Sequence, residues 1–301
     1  MKAVRYSTYG DPSVLTYEDA PRPAPGEGQV LVRTAATTFN PVDAAIRAGY
    51  LRESFPLTLP QIPGIEVAGT IVEIGPGVDR FAAGDAVIGA LPMNADGASA
   101  EFVVAAAELL AKAPSSVALA DAAALPVGAL TAQQALFEHA DLRAGQRVLI
   151  NGAGGSVGGF AVQLAGAAGA HVIATASPRS ADRVRRYGAD EVIDYTTTPV
   201  TDVAPVDVVL NLVAAPADAL AGLVAPGGVF VSATTPAPES VRSVQMYLRA
   251  DAAQLAELAA QVDRGALEIF VGDQRPLPEL ASVHEQAAAG KLPAGKIVLI
   301  P

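Results

Sequence analysis

The stretch Arg147-Val148-Leu149-Ile150-Asn151-Gly152-Ala153-Gly154-Gly155-Ser156-Val157-Gly158 decides the fold. Its first five residues form a short apolar run of the kind buried in a sheet, and glycines then turn the chain into a helical pattern. Glycine suits such a turn for three reasons: tightness, close approach of backbone to a pyrophosphate, and close packing of helix on strand. A helix that begins there offers N–H groups and partial positive charge to phosphate oxygens. Tight strand-to-helix turns also use glycine for purely structural reasons, so the surroundings decide between the two. Further strand candidates follow: His171-Val172-Ile173-Ala174-Thr175, Glu191-Val192-Ile193-Asp194, Asp207-Val208-Val209-Leu210-Asn211 and Val229-Phe230-Val231-Ser232. A helical pattern at 127–139 precedes the turn. Apolar strands alternating with helices make a parallel sheet covered on both faces. In that context the turn predicts dinucleotide binding through Gly152, Gly154, Gly155, Ser156, Val157 and Gly158.

The second strand of such a unit selects the cofactor. An acidic residue about 20 positions past the turn holds the ribose 2′-OH of NAD. Here the strand ends in Thr175-Ala176-Ser177-Pro178-Arg179, and no Asp or Glu occurs before Asp182. A small hydroxyl followed by Arg179, with Arg183 nearby, suits a 2′-phosphate that guanidinium groups grip in bidentate fashion. The alternative is that both arginines are ordinary solvated helix charges. NADP(H) is favoured over NAD.

The first 120 or so residues have a different texture. Gln29-Val30-Leu31-Val32-Arg33-Thr34 and Val67-Ala68-Gly69-Thr70-Ile71-Val72-Glu73-Ile74-Gly75 are β-rich runs bounded by Gly and Pro, and Gly84-Asp85-Ala86-Val87-Ile88 is another. Residues 41–48 read as a helix, with Asn40 as N-cap and Pro41 in the first position. An antiparallel, partly barrel-like domain is expected. After the parallel part, Asp251-Ala252-Ala253-Gln254 opens a helix closed by Gly265. Residues 267–271 and 296–300 are read as strands that return to the first domain.

Composition excludes several functions. With no cysteine among 301 residues there is no disulfide framework, no Cys-ligated metal and no thiolate nucleophile. Asp and Glu outnumber Lys and Arg by 31 to 20, a net charge of -11 that argues against binding nucleic acid. No apolar run is long enough to cross a membrane, and the start lacks the pattern of a signal peptide. A soluble, cytoplasmic protein is expected.

The glycine turn is preceded by Leu125-Pro126-Val127-Gly128-Ala129-Leu130-Thr131-Ala132 and followed by Ala161-Val162-Gln163-Leu164-Ala165. Further motifs are Gly188-Ala189-Asp190-Glu191-Val192-Ile193-Asp194-Tyr195, Pro226-Gly227-Gly228 and the ending Gly295-Lys296-Ile297-Val298-Leu299. With Asn40-Pro41-Val42-Asp43-Ala44-Ala45-Ile46-Arg47-Ala48-Gly49 and Pro63-Gly64-Ile65-Glu66-Val67-Ala68-Gly69, these span the whole chain. Together they resemble the zinc-independent quinone oxidoreductase branch of the medium-chain dehydrogenase/reductase superfamily. The resemblance implies an α/β fold. A mostly-β, GroES-like catalytic domain would cover 1–122 and 266–301, with a Rossmann-type, doubly wound nucleotide domain at 123–265. Substrate and nicotinamide would meet in the cleft. It also implies that the Ser156 and Val157 backbone faces the pyrophosphate and that Thr131 lies near the nicotinamide. Ser177, Arg179 and Tyr195 would recognise the adenosine ribose phosphate, joined by Lys291. Asn40 and Asp43 would line the cleft as catalytic-site residues, although both could equally serve the helix start. Relatives pair through an edge strand, which makes 241–248 the candidate edge of a homodimer.

Departures from the family sharpen the chemistry. Zinc-dependent relatives carry a histidine where Ile65 stands, and isoleucine ligates no metal. His139, His171 and His284 are scattered and read as structural. Some quinone reductases have a tyrosine where Ala45 stands, so Tyr50 becomes the nearest candidate proton donor. Without zinc as Lewis acid, hydrogen bonds must stabilise developing charge, at roughly 3 to 4 kcal/mol per well-placed donor. A quinone or enone spreads that charge over its own conjugated system. NADPH-dependent quinone reduction is the expectation. An enoyl or alkenal reductase is one alternative, and an NADPH-binding protein with a structural or sensing role is another.

Overall fold

The computed structural model describes residues 1–234 and 238–301. Two compact units divide the chain, Met1–Val127 with Ala250–Pro301, and Gly128–Arg249. Among the described residues no helix is long and apolar enough to cross a membrane.

In the second unit six strands run parallel in the order Glu191–Asp194, His171–Ala176, Arg147–Asn151, Val206–Asn211, Val224–Ser232 and Ser243–Gln245. Counted along the chain this is 3-2-1-4-5-6. Strand addition therefore reverses between Arg147–Asn151 and Val206–Asn211, the point where sheets of this kind open a crevice at their carboxyl ends. Val148, Leu149, Ile150, Val172, Ile173, Val208, Val209 and Leu210 are all buried, as apolar central strands covered on both faces must be. Helices Ser156–Ala167 and Pro178–Arg186 connect the first three strands. The expected helix at 127–139 is α-helical over Pro126–Gln133 and continues as a π-helical turn over Gln134–His139. Ser243–Gln245, within the run expected to form an edge, is the last strand of the sheet.

The first unit is built on a sheet in the order Val271–Pro276, Lys296–Ile300, Gln29–Thr38, Glu66–Ile74, Ala86–Ala90 and Leu110–Lys112, with Phe102–Ala106 also paired to Gln29–Thr38. All these pairings are antiparallel except that of Val271–Pro276 with Lys296–Ile300. Buried Val30, Val32, Val67, Ile71, Val87 and Leu110 form one core. A second joins Val4, Tyr6, Leu15 and Phe39 to Leu277, Leu280, Val283, Ile297 and Leu299, tying the chain's two ends together.

Two expectations need correction. The boundaries at 122 and 265 shift to 127 and 249, because helix Ala252–Asp263 belongs with the first unit. Its Asp263 carboxylate accepts the Ser115 and Ser116 N–H groups at 2.8 Å each. The expected strand at 267–271 begins only at Val271. The Ala266 and Leu267 N–H groups fold back onto the Gln261 carbonyl, which closes the helix and removes them from any ladder.

Candidate active site and nucleotide-binding turn

In the second unit, buried polar side chains hold the glycine turn across three adjacent strands. Thr175 Oγ1 accepts the Gly152 N–H at 2.9 Å and donates to Asn151 Oδ1 at 2.9 Å, and Asn151 Nδ2 donates to Asn211 Oδ1 at 2.9 Å. Gly152 has φ +100°, a conformation that side chains disfavour. A Cβ on Gly158 would stand 2.3 Å from the Gly152 carbonyl oxygen, so the helix closes on the turn only with glycine there. Gly155 is the N-cap of Ser156–Ala167, which leaves the Ser156 and Val157 N–H groups in a first turn without an intrahelical acceptor. Thr131 is buried on helix Pro126–Gln133.

Asp194 pairs opposite Ala176, so Tyr195 and Ser177 leave the carboxyl ends of neighbouring strands side by side. Tyr195 is 58% exposed. Ser177 is the N-cap of Pro178–Arg186 and makes no side-chain capping bond, and Arg179 beside it is exposed. These three residues therefore gather at one end of the sheet. Arg183 does not join them. It is buried, and its guanidinium donates to the Gly154 carbonyl at 2.7 Å. Arg183 shares a helix face with Ser180, whose Oγ would stand 2.5 Å from a Cβ on Gly154, and that face packs on the turn. The sequence reading of Arg183 as a phosphate grip is corrected to a brace on the turn. Lys291 is exposed and belongs to the first unit.

In the first unit, Asn40 and Asp43 open helix Pro41–Arg47 and are both buried. The Asp43 carboxylate accepts the Asn40 N–H at 3.0 Å, as a capping residue does. The Asn40 amide is turned elsewhere. Its nitrogen donates to Glu66 Oε1 at 2.9 Å and its oxygen accepts from Lys296 Nζ. Lys296 pairs with Glu66 at 2.7 Å, the Thr38 hydroxyl donates to the same carboxylate, and the Val127 N–H donates to Glu66 Oε2 at 2.8 Å. Glu66 is fully buried, and its charge is met by four donors. Sequence reasoning quoted both Glu66 and Lys296 within motifs but assigned neither a role.

Asp43 also lines a small, partly open pocket with Tyr6, Gln61, Gly64, Ile65 and Met93. Burial pushes its carboxyl up to about 7; the Asn40 N–H, Lys296 and the Gly64 N–H pull the other way, and Glu66 adds to the rise. Tyr50, expected as the nearest proton donor, is 83% exposed and lies outside this pocket. The pocket's tyrosine is Tyr6, missed because it lies 37 residues before Asp43 and is joined to Gln61 by backbone bonds in both directions. Ile65, which carries no metal-ligating side-chain atom, is part of the same lining. Among the described residues no three His, Cys, Asp or Glu side chains converge.

Comparison with known proteins places this geometry. The model of the alcohol dehydrogenase GroES-like domain matches residues 26–115, and that of the zinc-binding dehydrogenase matches 187–299. The quinone oxidoreductase of Lama guanicoe is 32% identical over 326 aligned positions, spanning 100% of this chain and 97% of that protein. The chain belongs to the medium-chain dehydrogenase/reductase superfamily. Within the superfamily, the chloroplast envelope quinone oxidoreductase homolog of Arabidopsis thaliana is 44% identical over 203 residues, which span 65% of this chain and 62% of that relative. A mycobacterial protein solved in complex with NADPH superposes with a TM-score of 0.88 at 30% identity, covering 100% of both chains. The first unit is thus the superfamily's GroES-like domain and the second its Rossmann-like domain. The described donor set does not fit the zinc that one matched family is named for: there is no cysteine, and Ile65 stands at the pocket.

Proposed function

We propose that this superfamily member reduces a quinone or a similarly conjugated carbonyl with NADPH and without zinc. The pocket beside Asp43 carries this reading. Its lining has hydrogen-bonding groups but no convergent metal donors, a setting that favours acceptors able to delocalise their own charge. The second unit's turn fits a dinucleotide, with the Ser156 and Val157 N–H groups for the pyrophosphate. Ser177, Arg179 and Tyr195 would hold the 2′-phosphate, since a hydroxyl and a guanidinium stand where an NAD site places a carboxylate. The bound nicotinamide would supply the hydride; the protein's part is to orient the acceptor, exclude water and deliver a proton. Ser243–Gln245, the last strand of its sheet among the described residues, is where we place the contact with a second copy.

Steady-state assays test the proposal. NADPH oxidation is expected with 1,4-benzoquinone and 1,4-naphthoquinone, and it should persist after dialysis against EDTA. Activity confined to simple alcohols or aldehydes, or lost with EDTA, would overturn it. Turnover of 2-cyclohexenone with quinones silent would transfer the activity to the alkene.

A further inference from the structure

Tyr6 is a buried tyrosine whose hydroxyl the helix-start network does not use. It is 2% exposed, lines the pocket with Asp43, and has its backbone fixed on both sides by Gln61. Its ring leans on Tyr9 at 6.5 Å between centroids. No described residue hydrogen-bonds the hydroxyl, whereas Asp43 already accepts the Asn40 and Gly64 N–H groups and both Gln61 amide hydrogens go to the Ile62 and Ala95 carbonyls. Apart from the Asp43 carboxyl, which those two N–H groups hold in place, the pocket's uncommitted side-chain hydrogen-bond donor among the described residues is the Tyr6 O–H. A donor that reaches a pocket with no partner in the protein is placed to serve a ligand oxygen.

We infer that Tyr6 is a catalytic residue whose hydroxyl donates to the acceptor's carbonyl oxygen and supplies the proton that completes its reduction. The assignment rests on the proposed reductase activity. A quinone becomes a hydroquinone by gaining two electrons with one hydrogen, as hydride from a reduced nicotinamide nucleotide, and one proton at oxygen. The Tyr6 O–H bond breaks as the O–H bond of the product forms, and the phenolate regains a proton from solvent. Burial, Tyr9 and Asp43 all hold the phenol above its ordinary value, so the hydroxyl keeps its proton and is available as a hydrogen-bond donor at neutral pH.

Tyr6→Phe keeps the ring and removes only the hydroxyl, with Tyr9→Phe as the neighbouring control. Both variants are first checked for a native circular dichroism spectrum and melting temperature. Tyr6→Phe is expected to lower kcat with 1,4-naphthoquinone about 100-fold while the KM for NADPH stays unchanged, and Tyr9→Phe to keep the native rate. A Tyr6→Phe enzyme with native kcat would overturn the assignment while leaving the reductase reading intact. If the unmodified protein reduces no quinone, the reductase reading fails instead. Binding of the unreactive aryl ketone 1-tetralone then decides Tyr6: affinity weakened at least fivefold in Tyr6→Phe supports its role as a carbonyl donor, and equal affinity refutes it.

Discussion

Arg179 and Arg183 stand one helical turn apart and differ completely in what they touch. Arg179 is exposed in the first turn of Pro178–Arg186, which starts at the sheet end where Ser177 and Tyr195 emerge. Arg183 is buried against the Gly154 carbonyl. The two replacements should therefore fail differently. Arg179→Ala is expected to weaken NADPH binding by about tenfold or more and leave NADH binding unchanged, because a charge-assisted contact to the 2′-phosphate is lost. Arg183→Met is expected to weaken both cofactors alike, because the turn they share loses its brace. Fluorescence titration with each nucleotide checks this, and equal loss for both cofactors in Arg179→Ala would remove the phosphate assignment. The pair was legible in the sequence only as two cations near a turn. Which of them points inward depends on the packing of the helix on Gly154.

At the scale of elements, the sheet order explains why most strands were readable while one strand of the first unit and the meeting of its buried charges were not. Strands such as Arg147–Asn151 carry their own signal, a continuous apolar run ending in a glycine turn. Val271–Pro276 is polar at Asp273, Gln274 and Arg275 and has no alternation to announce it. It is held by pairing with Lys296–Ile300. That strand in turn lies beside Gln29–Thr38, which also pairs with Glu66–Ile74, so the sheet brings Lys296, Thr38 and Glu66 together from distant parts of the chain. No local pattern reports such a meeting. Its energy is testable. Lys296→Met strands the buried Glu66 charge and is expected to cost about 3 to 5 kcal/mol, whereas Lys296→Met with Glu66→Gln should recover much of that loss. Urea-unfolding midpoints followed by circular dichroism measure both. A single variant as stable as the native chain would mean that the pair contributes nothing to the first unit.

For the molecule as a whole, two buried groups in the first unit tilt stability against pH in opposite senses. His284 is 2% exposed, rests edge-on against Phe39, and neither of its ring nitrogens has a partner. Burial, followed by the Arg47 charge, pushes it from 6.5 down to about 3. Between those values the unfolded chain binds a proton that the folded chain refuses, so this group's contribution is lost as pH falls from 6.5 toward 3. Asp43 moves the other way, from 3.8 up to about 7. Between 3.8 and 7 the folded chain holds a proton that the unfolded chain releases, so its contribution is lost as pH rises through that range. The slopes oppose each other across their overlap, and single variants separate them. Relative to the native chain, His284→Phe should gain melting temperature most at pH 4 and progressively less toward pH 7. It keeps the ring contact with Phe39 and sacrifices no hydrogen bond. Asp43→Asn should show the reverse, gaining most near pH 7 and least near pH 4. All other titrating groups are common to the three proteins and cancel in the differences, so melting curves by differential scanning calorimetry read the two residues directly. Difference profiles that are flat across pH 4 to 7 would show that neither group titrates apart from its unfolded value.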